Sequence, residues 1–154
     1  MVSEGDIAPD FQLPTDDGTI LELSAMRGSP LVLYFYPKDD TSGCTKEALA
    51  FTEHVKDFSA LGTRVVGVSP DSVAAHEKFK TKHGLSVTLA SDPEKQVCDA
   101  YGVWVEKSMY GRKYTGVERS TFLIDAEGRV ARAWRKVKVP GHAEAVLDAL
   151  KQIQ

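Results

Sequence analysis

Cysteine is scarce in this chain of 154 residues: only Cys44 and Cys98 occur. Two cysteines cannot build the disulfide framework of a small secreted domain, so a reducing, cytoplasmic setting and a functional thiol are expected. There is no CxxC pair, because the third position after Cys44 is Glu47; a dithiol reductase is therefore disfavoured. Long apolar runs are lacking too. The opening Met-Val-Ser-Glu-Gly-Asp shows no basic region followed by an apolar stretch, so neither a membrane span nor a secretion signal is expected. Nor does one charge sign dominate: 19 Lys and Arg against 22 Asp and Glu leave a net charge of −3. That balance argues against a nucleic-acid arm or a membrane-surface helix and leaves a small molecule or another protein as partner. His54, His76, His83 and His142 lack ligand spacing with cysteine or carboxylate clusters, so no metal and no cofactor is expected.

What is present reads as one α/β domain over residues 1–154, with enough length for a single substantial core. Two short alternating stretches around Asp17-Gly18, within Pro9 to Leu23, predict an N-terminal hairpin. Leu31-Val-Leu-Tyr-Phe-Tyr36 is a continuous apolar run, as expected of a strand covered on both faces. After Gly43 the period becomes helical, with Ala48, Phe51, Val55 and Phe58 on one face and Gly62 at the end. Arg64–Ser69 is a second buried strand, and Ser69-Pro70-Asp71-Ser72 supplies capping residues for a helix running to about His83, stopped by Gly84. Ser86–Ala90 is a third strand. Asp92-Pro93-Glu94 then supplies an N-cap, a first-turn proline and an acidic first turn for a brief helix that contains Cys98 and ends at Gly102. Residues 103–119 show no periodicity and read as a functional loop, made basic by Lys107, Arg112 and Lys113. Ser120–Asp125 and Arg129–Trp134 form an antiparallel hairpin, and His142 to Gln154 closes the chain as an amphipathic helix. The order implies a mixed central sheet flanked by helices, with Cys44 near the carboxyl edge of the first central strand.

Cys44 falls in the first turn of a predicted helix, where unpaired amides and the positive end of the helix dipole favour a thiolate. An exposed thiolate is suited to attacking an electrophilic sulfur, carbon or peroxide oxygen; peroxide fits best, because its O–O bond is weak and a sulfenic acid is recoverable. Such a displacement needs donors that hold both oxygens in line and stabilise the departing one. Thr41 and the amides of Gly43 and Cys44 are candidates, Pro37 is a candidate shield, and Arg119 is a candidate permanent cation. The plain alternatives stand beside these roles: Cys44 and Cys98 as small buried hydrophobes, Thr41 as a turn residue, Arg119 as a surface cation beside Glu118.

Pro37-x-x-x-Thr41-x-x-Cys44 resembles the active-site signature of peroxiredoxins, and Tyr-Pro-Lys-Asp-Asp-Thr-x-Gly-Cys-Thr is similar to their bacterioferritin comigratory protein, or peroxiredoxin Q, branch. Ala8-Pro9-Asp10-Phe11, Val66-Gly-Val-Ser-Pro-Asp71, Tyr101-Gly-Val-Trp104 and Arg119 before Phe122-Leu-Ile-Asp125 extend the resemblance over nearly the whole chain. It implies a thioredoxin-like fold and thiol-dependent reduction of hydrogen peroxide and organic hydroperoxides. Cys44 would be the peroxidatic cysteine, Pro37, Thr41 and Arg119 its companions, and Glu47 a carboxylate that orients the arginine. Thioredoxin, or another thiol such as glutathione or glutaredoxin, would donate electrons, and a monomer is expected over a dimer. A thioredoxin-fold redox sensor or holdase with little turnover is the competing reading. Two positions depart from the branch: Ser42 stands where many members have proline, and Leu49 where many carry a resolving cysteine. The helix from Val73 to Lys82, another home for that cysteine, has none. Recycling by an external thiol is the expected route; resolution by Cys98 after local unfolding and an intermolecular Cys44 disulfide are the others.

Overall fold

A computed structural model describes residues 2–154. Its centre is a five-stranded sheet in the order β5-β4-β3-β8-β9. Strand β3 (Leu31–Phe35) lies mid-sheet, parallel to β4 (Arg64–Ser69) on one side and antiparallel to β8 (Ser120–Ile124) on the other. All five residues of β3 are buried, as its continuous apolar run requires of a strand covered on both faces. Strand β5 (Thr88–Ser91) extends the parallel half, and β9 (Val130–Trp134) pairs antiparallel with β8. The N-terminal hairpin is present as β1 (Gln12–Pro14) and β2 (Ile20–Glu22). The fold is the expected mixed α/β arrangement.

Alternation along β3 divides the core in two. Leu31, Leu33 and Phe35 face one cluster, which contains Phe11, Val97, Cys98, Tyr101 and Phe122. Val32, Tyr34 and Tyr36 face the other, with Cys44, Phe51, Phe58, Phe79 and Leu150. Helices α1 (Ser42–Glu53), α2 (Val55–Ala60), α3 (Val73–His83) and α5 (His142–Ile153) contribute to the second cluster, and α4 (Gln96–Ala100) to the first.

Three expectations need correction. The segment from 103 to 119 is not a loop: β6 (Trp104–Met109) and β7 (Arg112–Val117) form an antiparallel hairpin. Its two-residue turn, Tyr110-Gly111, has φ of +52° and +77°, the positive values that a tight hairpin turn demands. Most of the hairpin is exposed, so no alternation of apolar residues marked it. The helix expected to run from Gly43 to Gly62 breaks at His54, whose side chain meets Asp57 at 3.1 Å and Glu144 at 3.0 Å. The apolar stripe continues across the break and conceals it. Helix α4 starts at Gln96, after Lys95 at φ +59°. Asp92 is not its N-cap; the Asp92 carboxylate instead accepts the Cys98 amide at 2.8 Å.

Candidate active site

Cys44 is the third residue of α1, and the first helical bond runs from Thr45 N–H to the Thr41 carbonyl. The Thr41 side chain does not cap this end; its hydroxyl donates to the Lys38 carbonyl at 2.8 Å. Consequently the amides of Ser42, Gly43 and Cys44 have no acceptor among the described residues. They form a ready donor cluster for an anion or a polarised oxygen.

Antiparallel pairing brings the cation. Phe35 at the end of β3 lies opposite Ser120 at the start of β8, so the residue just before Ser120 sits beside the chain leaving β3. That residue is Arg119. Its Nη2 lies 3.3 Å from Cys44 Sγ and its Nη1 donates to Glu47 Oε1 at 2.6 Å. Glu47, one turn beyond Cys44 on the same helix face, reaches the other arm of the same guanidinium. Gly43 makes room: a Cβ there would stand 3.1 Å from Arg119 Nη2.

The burial of this cluster has electrostatic consequences. Cys44 is only 1 % exposed, against the expectation of an exposed sulfur. Its burial matches the small buried hydrophobe of the plain alternative, but a permanent cation also stands within hydrogen-bonding reach of the sulfur. Glu47 is also 1 % exposed, and its Oε2 is buried without a partner. Burial pushes its carboxyl up to about 7, with Arg119 opposing. Arg119 itself is held above its ordinary value: burial acts against its charge, but Glu47 and Cys44 outweigh it. The pairing is lopsided because the guanidinium touches both Glu47 and Cys44 while the second carboxyl oxygen of Glu47 has no hydrogen-bond partner.

Tyr34 supports the floor. Its ring stacks on Phe51 at 4.8 Å and lies over Gly67, where a Cβ would come within 2.6 Å of its Cζ. Burial, then Glu47 and Cys44, raise the Tyr34 hydroxyl well above its ordinary range, so that hydroxyl stays neutral. Beside Arg119 a groove of about 550 Å³ opens between the β6–β7 hairpin and Lys136, lined by Val105, Lys107, Tyr114 and Val137.

Pro37 is half-buried just beyond β3, and Thr41 is exposed at the start of α1. Cys98 lies elsewhere, fully buried in the cluster on the other face of β3. Burial, followed by the nearby Asp92, raises its thiol well above the ordinary cysteine range. Sequence reasoning missed Gly43 as a spacer for the guanidinium. It also missed the buried partners of the loop before α1, Asp39 and His76; a histidine three residues before Phe79 on the apolar face of α3 was the available signal.

The AhpC/TSA family model matches residues 5–133. Peroxiredoxin Bcp of Bacillus subtilis is 48 % identical over 149 residues, 97 % of this chain and 95 % of the relative. Peroxiredoxin Q of Xanthomonas campestris has a structure that superposes with a TM-score of 0.92 at 46 % identity, covering 100 % of this chain and 98 % of that one. A second structure from that organism, a bacterioferritin comigratory protein described through its alkyl peroxide reduction activity, superposes with a TM-score of 0.90 at 46 % identity, covering 99 % and 97 %. The thioredoxin-like peroxiredoxin fold expected of the sequence is thus the fold of the chain.

Proposed function

Because this chain belongs to the AhpC/TSA family and is a thiol-dependent peroxidase, we propose that Cys44 is its peroxidatic cysteine and that hydrogen peroxide and organic hydroperoxides are its substrates. The observation that carries the reading is the 3.3 Å contact between Arg119 Nη2 and Cys44 Sγ at the open start of α1. The Cys44 thiolate attacks one peroxide oxygen along the O–O axis. An S–O bond forms, the O–O bond breaks, and the departing hydroxide or alkoxide takes a proton to leave as water or alcohol, with a sulfenic acid on Cys44. Arg119 and the free amides of Gly43 and Cys44 stabilise charge on the oxygens. Thr41 donates its own proton to the Lys38 carbonyl, so its lone pairs are free to accept a peroxide O–H. Pro37 has no N–H to compete and shields the pocket, while Glu47 holds the guanidinium in place.

Recycling is by an external thiol. One thiol condenses with the sulfenic acid, releasing water and leaving a mixed disulfide; a second thiol, from thioredoxin or from glutathione and glutaredoxin, frees Cys44 and leaves as the oxidised donor. The separation of Cys44 and Cys98 into clusters on opposite faces of β3 supports this route over an internal disulfide. The test is peptide mass spectrometry after one equivalent of hydrogen peroxide in the presence of dimedone. The expected product is a dimedone adduct on Cys44 with Cys98 still a free thiol. An unmodified Cys44 would overturn the peroxidatic assignment, and a peptide joining Cys44 to Cys98 would overturn external recycling.

A further inference from the structure

The loop that enters α1 has an anchor of its own, separate from Arg119. Tyr36, Asp39 and His76 are buried together, His76 completely. The Tyr36 hydroxyl donates to Asp39 Oδ1 at 2.6 Å, and His76 Nδ1 lies 2.6 Å from Asp39 Oδ2. His76 Nε2 meets the Ala90 carbonyl at 2.9 Å, so that nitrogen must carry a hydrogen. The short contact of Nδ1 with Oδ2 likewise needs a hydrogen between the two atoms. The backbone of Asp39 is tied as well: its N–H donates to Asp71 Oδ2 at 2.8 Å, an oxygen that also accepts from Ser69 Oγ at 2.7 Å. The next residue, Asp40, stands at φ +59° and meets Lys82 at 2.6 Å and His83 at 2.7 Å. Two consecutive loop residues are thereby bound to one helix, α3.

A buried pair of this kind is a poor source of stability, since apolar residues of equal volume commonly serve as well or better. What it supplies is geometry. Asp39 sits two residues before Thr41 and five before Cys44, and the hydrogen bonds of the trio run to one another, to the Ala90 carbonyl and to Asp71, not to the sulfur.

We propose that His76, acting through Asp39, is a positioning residue of the peroxidase: it holds residues 37–41 so that Pro37, Thr41 and the first amides of α1 meet the peroxide oxygens. This rests on the assignment of Cys44 above. The test compares two reactions of Cys44 in the full chain, single-turnover oxidation by hydrogen peroxide and alkylation by iodoacetamide. Alkylation needs a thiolate and access; peroxide reduction also needs oriented oxygens. His76→Leu is expected to slow peroxide oxidation at least about tenfold, and Tyr36→Phe about threefold, with alkylation within about twofold of wild type, since small misplacements are costly to an in-line displacement. Peroxide rates within twofold of wild type in both variants overturn the proposal, and so does a parallel fall in both reactions, which would trace the loss to the thiol and not to the loop. If His76→Leu fails to fold, Tyr36→Phe decides, because it removes one hydroxyl and keeps the ring. A wild-type Cys44 inert to peroxide overturns the peroxidatic assignment together with this proposal. Normal wild-type oxidation with unaffected variants overturns the positioning role alone.

Discussion

Cys44 and Cys98 are both buried, and the two pockets differ in what meets the sulfur. Around Cys44 a guanidinium stands at 3.3 Å and the amides of a twelve-residue helix are open. Around Cys98 the helix is five residues long, the cysteine's own amide is taken by the Asp92 carboxylate, and burial with that carboxylate raises the thiol. Exposure does not separate the two cysteines; the sign of the neighbouring charge does. The sheet stands between them, because successive side chains of β3 point to the two clusters in turn.

The largest effects are expected from removing each sulfur in turn. Cys44→Ser is expected to lower steady-state peroxide consumption with a thiol reductant by at least about 10³-fold, as loss of a nucleophile does. Cys98→Ser should leave kcat/KM within about twofold. Equal losses in the two variants would erase the distinction. Next comes the cation: Arg119→Met should slow oxidation of Cys44 by about 10²-fold, the scale of one lost transition-state donor. Arg119→Lys should recover only part of that rate, because a lysine cannot reach sulfur and Glu47 with two arms at once.

Stability against pH sharpens the same contrast through Glu47. Its folded-state value of about 7 lies above the ordinary 4.5. The resulting stability is therefore fully present below about pH 4.5 and lost as pH rises through 7, a change of about 3 kcal/mol. Glu47→Gln should abolish that part of the slope between pH 5 and 8 in chemical denaturation. An unchanged slope would show that Glu47 does not titrate in this window. The smallest effect is expected at Gly43. Gly43→Ala places a Cβ 3.1 Å from the guanidinium, which must yield by a few tenths of an ångström; the peroxide rate should fall about threefold, read by the same single-turnover assay.

Much of the scaffold was legible residue by residue. The apolar run of β3 and the limits of α3 announce themselves through local chemistry: of the capping residues Ser69 to Ser72 it is Ser72 that accepts the Ala75 amide, and Gly84 takes the left-handed φ of +64° that ends the helix. The β6–β7 hairpin did not, because a largely exposed hairpin needs no apolar face to form and leaves no period to read. The burial of Cys44 was equally hidden. Polar neighbours in sequence suggested solvent, whereas the sulfur packs beneath α1 against the Tyr34 face of β3.

Local sequence was enough to read the contiguous part of the candidate site: an apolar strand that stops at Pro37 and a helical period that sets in after Gly43, with Cys44 in its first turn. Capping, period and proline act over a few residues, so they can be read without a fold. That Arg119, 75 residues away, reaches the sulfur follows from long-range strand pairing alone. Tertiary packing likewise places His76 beneath the loop and turns Cys98 to the opposite cluster. Those outcomes depend on strand register and face, the Phe35–Ser120 pairing above all. A slip of one residue in that register would have turned every side chain of the strand to the other side.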